Sequence, residues 1–180
     1  MSKQIEEGEN LSLESVAQQL NVSITPVREA FQILSRDGLI KLRPNKGAIV
    51  LGITETYIRE HYQLRGILES ACAGIAASPD TDIHKIEQSY LGAKKMIESG
   101  DYSQYANCNR EFHSEIWATS GNKKMENMIA ELWNGLSMGS MVTEEEYANI
   151  SIKEHKAIYE AIKAHDVQLA QQKMYEHIMR

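Results

Sequence analysis

Val22-Ser23-Ile24-Thr25-Pro26-Val27-Arg28-Glu29-Ala30-Phe31 is the stretch whose reading decides the fold. Upstream of it Leu13, Val16, Ala17 and Leu20 recur at helical spacing, and the pattern stops at Asn21. After a short turn Thr25 has the chemistry of an N-cap and Pro26 that of a first helical residue, so a second helix is expected to open there. Its apolar face is expected to carry Val27, Ala30, Phe31 and Leu34 and to pack on the first helix. Two helices joined by so tight a turn form a helix-turn-helix.

Arg28, Gln32 and Arg36 recur every four residues on the other face, so together they can enter a DNA major groove. Ser23 and Thr25, at the helix N-terminus, offer hydroxyls and amides to a phosphate. Gly38 closes the helix, and the runs 39–43 and 48–50 read as two short strands around Pro44-Asn45-Lys46-Gly47. Such a wing would bring Lys46 to the minor groove or the phosphate backbone.

Helix pairs of this shape also occur in helical proteins that never touch DNA. The run Val22 to Ala30, followed by Leu34, Asp37-Gly38-Leu39 and the wing Gly47, resembles the winged helix-turn-helix of GntR-type bacterial transcription regulators. The resemblance implies a DNA-binding regulator, expected to be a repressor, that meets double-stranded operator DNA as a homodimer. It also implies a departure at position 24, where many relatives hold arginine and this chain has Ile24, an apolar contact for a thymine methyl at most. The family usually has one more helix upstream, with a proline where Glu7 precedes Gly8 here. That first helix is expected to be missing, and the last helix, cut at Arg180 without a C-cap, is expected to be short.

The 180 residues, 42% hydrophobic and 24% charged, suit one ordinary domain or two small ones. No apolar run approaches the ~20 residues of a membrane span, and Met1-Ser2-Lys3-Gln4 opens no signal-like segment. A cytoplasmic chain with no membrane partner is expected. Cys72 and Cys108 lack both metal-knuckle spacing and the density of a disulfide framework, so they read as buried thiols. The net charge of −6 is unevenly spread: residues 21–50 carry a local +3, and residues 51–180 a net −6. A basic head on an acidic body suits a protein that touches phosphate with one part only.

From Thr54 onward the pattern is wholly helical. Helices are expected at 54–77, 82–100, 101–120 and 123–138, the last weakened by Gly135 and Gly139, with 142–150 as a loop or short turn. A fifth is expected to open on the capping box Ser151-Ile152-Lys153-Glu154 and run to Ala164, and a sixth to start at Asp166. The expected fold is mainly α: a winged helix-turn-helix over 1–52 and an antiparallel all-helical bundle over 53–180. The first bundle helix is expected to turn Ile58, Tyr62, Leu64, Arg65, Leu68, Cys72 and Ile75 toward its neighbours.

Six histidines are present. Asn109 and His113 are four apart and leave one helix face a turn apart. His155 and His177 lie at nearly equal distances on either side of the turn at 165/166, so in an antiparallel hairpin they should meet. Three histidines and an oxygen ligand suit a divalent transition ion such as Zn²⁺, Ni²⁺, Mn²⁺ or Fe²⁺. Taken singly, each histidine reads first as a polar helix residue with its own hydrogen bond. His61, His84 and His165 lie in polar or turn surroundings, and Trp117 and Trp133 read as core.

Asn109-Arg110-Glu111-Phe112-His113, Glu154-His155-Lys156-Ala157-Ile158 and Glu176-His177-Ile178 resemble the three ligand segments of the FadR C-terminal domain, the FCD effector module of one GntR branch. The resemblance implies Asn109, His113, His155 and His177 as metal ligands, with asparagine in place of the usual aspartate. Arg65, followed by Leu68-Glu69, matches the family's Arg-x-x-Leu-Glu segment and implies a clamp for a small organic or sugar acid effector. Its plainer reading is an i,i+4 pair with Glu69. The rival from another class is a metal-dependent enzyme with Glu111, Glu154 or Glu176 as base. A third reading is a dimerising sensor that does not bind DNA. The regulator is preferred and no catalysis is expected.

Overall fold

The computed structural model describes residues 5–44, 46–133 and 143–180. The chain divides into two compact units, residues 1–59 and 60–180.

The first unit holds β1 (Asn10–Leu11), α1 (Leu13–Leu20), α2 (Ile24–Arg36), β2 (Ile40–Arg43) and β3 (Gly47–Val50). Ser12 caps α1 by accepting from the Ser15 amide, and Asn21 ends it in the left-handed region at φ 53°. The helix α2 opens two residues earlier than its sequence suggests: Ser23, not Thr25, occupies the N-cap, and Pro26 sits third in the helix. Proline is tolerated there because first-turn amides have no acceptor within the helix. The strands pair antiparallel in the order β1-β3-β2, so β1 adds a strand to the expected hairpin. Gly47 is required twice over, since its φ is +80° and a Cβ there would stand 1.9 Å from the Leu11 carbonyl oxygen.

Ala17, Val27, Phe31, Ile40 and Ala48 form the core of this unit. Two expected core residues face solvent. Leu20 is 65% exposed where the chain turns away at Asn21, and Ala30 lies on the outer flank of α2 beside Glu29. Tip residue Asn45 of the wing lies outside the described residues.

The second unit contains α3 (Glu55–Ala76, whose first turns precede residue 60), α4 (His84–Glu98), α5 (Tyr105–Thr119), α6 (Lys123–Leu132), α7 (Glu144–Lys163) and α8 (Val167–Met179). Helix α4 packs on α5 and α7, α5 on α6, and α7 on α8. Ile86, Phe112, Ile116, Ile158, Ile162 and Met174 form its dry centre, each contributing about 1.5–3 kcal/mol by burial. Among the described residues no helix is long and apolar enough to cross a membrane.

Several expectations are corrected here. Residues 144–150 are the first turns of α7, not a loop: Thr143 and Glu146 form the capping box, and Glu144, Glu145 and Glu146 favour the positive helix start. Ser151, expected as an N-cap, is fully buried inside that helix. Helix α3 also buries a different face, with Gly66, Glu69, Cys72, Ala73 and Ala76 inward and Leu64 and Ile75 at 43% and 40% exposure. Small residues let neighbouring helices come close, and a reading based on large apolar side chains passes over them. Helices α4 and α5 start later than expected, because Asp82 and Asp101 accept from His84 and Ser103 amides in tight turns ahead of them. Residues 134–142, with the expected end of α6, Gly135, Gly139 and the start of the expected loop, lie outside the described residues.

Candidate functional site

Helices α5, α7 and α8 each turn one histidine to a common point: His113, His155 and His177 are all buried. Nε2 of His113 lies 3.1 Å from Nε2 of His177 and 3.2 Å from Nε2 of His155. His155 and His177 meet across the α7–α8 hairpin with ring centres 4.9 Å apart.

The opposite ring nitrogens explain why Nε2 faces inward. His113 Nδ1 is 2.6 Å from Glu69 Oε2, and His177 Nδ1 is 2.6 Å from Glu154 Oε2. Each carboxylate assigns the proton to Nδ1 and leaves Nε2 as a lone pair, the arrangement of a carboxylate–histidine–metal triad. His155 has no such partner among the described residues: its buried Nδ1 is unpaired, and its ring stacks on Phe112 at 4.3 Å.

Glu69 sits at the centre of this network. One oxygen accepts from Arg65 Nε at 2.5 Å, the other from His113 and from Trp117 Nε1 at 2.9 Å. Burial opposes its charge, but His113, Arg65 and Trp117 outweigh it and hold the pKa at about 2. Burial pushes His113 down to about 4 against the pull of Glu69, and His155 well below its ordinary value. The imidazoles of His113 and His155 are therefore neutral at pH 7.

With its Nδ1 taken by Glu69 and its pKa depressed by burial, His113 turns a lone pair at Nε2 toward Nε2 of His177, 3.1 Å away. Nitrogens bound to one ion at ~2.0–2.1 Å lie roughly 3.0–3.4 Å from one another. The three histidines thus fit a divalent metal ion.

Asn109 is one step away. Its Oδ1 accepts from Ser151 Oγ at 3.5 Å, and Ser151 Oγ lies 3.4 Å from His155 Nε2. Arg65 is beside the site, its guanidinium 3.9 Å over the Trp133 ring, which stands 5.0 Å from that of His113. The expected pair with Glu69 exists, but it is buried. Glu69 and Glu154 hold the His113 and His177 rings, roles that the sequence reading did not give them, and Trp117 and Trp133, expected as core, border the site. A legible signal existed for Glu69, a carboxylate on the same helix stripe as Cys72, Ala73 and Ala76. Of the carboxylates considered as bases, Glu111 and Glu176 are exposed, and Glu154 is engaged by His177 and Arg180.

In the first unit Ser23, Thr25, Arg28, Gln32, Arg36 and Lys46 are all exposed. Arg36 lies 3.4 Å from the neighbouring Asp37. Arg28, Gln32 and Arg36 leave the face of α2 opposite Val27 and Phe31, which are buried.

The profile of the family described as "FCD domain" matches residues 60–180, and that of "Bacterial regulatory proteins, gntR family" matches residues 1–50. The chain belongs to the GntR family. The "Gluconate operon transcriptional repressor" of Bacillus subtilis (strain 168) is 28% identical over 186 residues, covering 96% of this chain and 74% of that protein. The "Probable D-xylose utilization operon transcriptional repressor" of Paenarthrobacter nicotinovorans is 27% identical over 172 residues, covering 91% and 73%. Among solved structures, E. coli McbR/YncC superposes with a TM-score of 0.62 at 25% identity, covering 97% of this chain and 85% of that one. As a GntR-family member the chain is a DNA-binding transcriptional regulator with a winged helix-turn-helix head and a helical FCD body.

Proposed function

We propose that this GntR-family chain is a repressor whose helical unit holds a divalent metal through His113, His155 and His177, with Asn109 as a fourth ligand, and binds a small carboxylate that changes operator affinity. The convergence of three Nε2 atoms at 3.1 and 3.2 Å carries this reading. Glu69 and Glu154 keep the His113 and His177 rings oriented, and the ion supplies a positive centre with open positions for a carboxylate. Arg65, ordered by Glu69 and by stacking on Trp133, adds a guanidinium for the same anion.

In the head, Arg28, Gln32 and Arg36 contact base edges or phosphates in the major groove, Ser23 and Thr25 the phosphate at the start of α2, and Lys46 the backbone or minor groove. One short helix reads few base pairs, so a homodimer on two half-sites supplies specificity. The effector acts by population shift, binding more tightly to one arrangement of the dimer than to the other.

Elemental analysis of the purified chain beside a His155→Ala, His177→Ala variant tests the centre. About one equivalent of transition metal in the parent and little in the variant is the expected result. A parent that takes up no metal even after loading would overturn the proposal. A gel shift with and without carboxylic acids, on the metal-loaded chain, then tests the coupling to DNA.

A further inference from the structure

Two arginines border the histidine cluster, each paired with a carboxylate. Arg65 gives its Nε–H to Glu69 Oε1 at 2.5 Å while Glu69 Oε2 takes the His113 Nδ1–H. Arg180 Nε forms an ion pair with Glu154 Oε1 at 2.7 Å while Glu154 Oε2 takes the His177 Nδ1–H. Each arginine is tied through a single carboxylate to a single imidazole. A guanidinium has five N–H donors, so each arginine has Nη donors to offer beyond this contact.

The two guanidinium groups flank one centre, because the imidazoles behind their carboxylates meet with Nε2 of His113 and Nε2 of His177 3.1 Å apart. Arg180 lies 5.8 Å from the Tyr147 ring centre, and Arg65 lies 5.9 Å from that of Tyr62.

Formal charges sharpen the point. Arg65 and Glu69 cancel, as do Arg180 and Glu154. The imidazoles must be neutral to ligate, and Asn109 is neutral where an aspartate would be negative. A divalent ion at this centre therefore brings two positive charges that no ligand side chain offsets, among buried groups, where an uncompensated charge is strongly unfavourable.

Resting on the metal reading above, we propose that the effector is a dianion, a short dicarboxylic acid with one carboxylate at the ion beside Arg65 and the second taken by Arg180. Arg180 is then the residue that separates two-headed acids from one-headed ones of equal length. Asn109 sets the charge excess that the second carboxylate neutralises.

The test is titration calorimetry on the metal-loaded full chain, with metal content measured on the same sample. The probes are malonate, succinate and glutarate, each against the monocarboxylate of equal carbon number: propionate, butyrate and valerate. At least one diacid should bind about ten-fold or more tightly than its partner, the size of one charge-assisted contact. In Arg180→Gln that ratio should fall toward one, and in Arg180→Lys part of it should return. If no diacid outbinds its partner while metal is present, or if Arg180→Gln leaves the ratio unchanged, the dianion proposal is overturned and the metal centre stands. If the protein holds no metal, the metal centre fails and the charge argument fails with it.

Discussion

Glu69 on α3 and His113 on α5 are 44 positions apart in sequence and 2.6 Å apart in space. The same carboxylate collects Arg65 and Trp117, so one buried group orients a ligand imidazole, a guanidinium and an indole. Glu69→Gln keeps the shape but has a single acceptor oxygen for three donors and leaves Arg65 without its counter-charge. Metal affinity should fall ~10–100-fold, read by competition with a chromophoric chelator, and the metal-free protein should melt earlier. Unchanged metal affinity would reduce Glu69 to a structural ion pair.

Acid should destabilise the metal-free protein in a defined window. The folded-state pKa of His113 is depressed from 6.5 to about 4, so the unfolded chain binds protons first and stability falls as pH drops through that interval. His155, depressed further, acts in the same direction. Glu69, lowered from 4.5 to about 2, contributes stability above its unfolded value that is lost as pH falls toward 2. Calorimetric Tm in the presence of EDTA should therefore decline below pH 6.5. Bound metal should delay the decline, since it occupies the nitrogens protons would take. A Tm that rises on acidification through this range would contradict the assignment of neutral buried imidazoles.

Thr143→Ala should cost about 1 kcal/mol in urea unfolding, because it removes the hydroxyl that caps α7. Ser151→Ala removes no cap. It deletes the hydroxyl between Asn109 and His155 and should be felt in metal affinity more than through helix capping. The opposite pattern would return the helix start to Ser151.

On DNA, Arg28→Ala should greatly weaken operator binding in a gel shift. Lys46→Ala should weaken binding to all sequences alike and reduce the slope of log affinity against log salt by about one. If Arg28→Ala binds as the parent does, α2 is not the recognition helix.

The winged head was legible because its signals are local: Asn21, Ser23, Pro26, Gly38 and Gly47 sit at turns, caps and helix ends that short-range chemistry dictates. β1 was not, being two residues that become a strand only by pairing with β3. In the bundle, His155 and His177 could be brought together by counting from their shared turn, and the FCD resemblance joined His113 to them. Their supports could not be reached by counting, because Glu69 lies on a helix distant in sequence. The start of α7 was misread because two Ser/Thr-x-x-Glu patterns compete, at Thr143 and Ser151, and only packing shows that the second is interior.

The three ligand rings are not equally fastened. His113 and His177 are fixed by directional bonds to carboxylates, whereas His155 rests against Phe112 and has no partner at Nδ1 among the described residues. Dispersion against a flat ring resists tilting far less than a charged hydrogen bond does. On the proposed metal reading, release of the ion is expected to begin at His155, with Phe112 tuning the lifetime of the complex. In stopped-flow exchange with excess chelator, Phe112→Leu should shorten that lifetime more than it weakens equilibrium affinity, giving the site an exit step whose rate is tuned by a residue that never touches the ion.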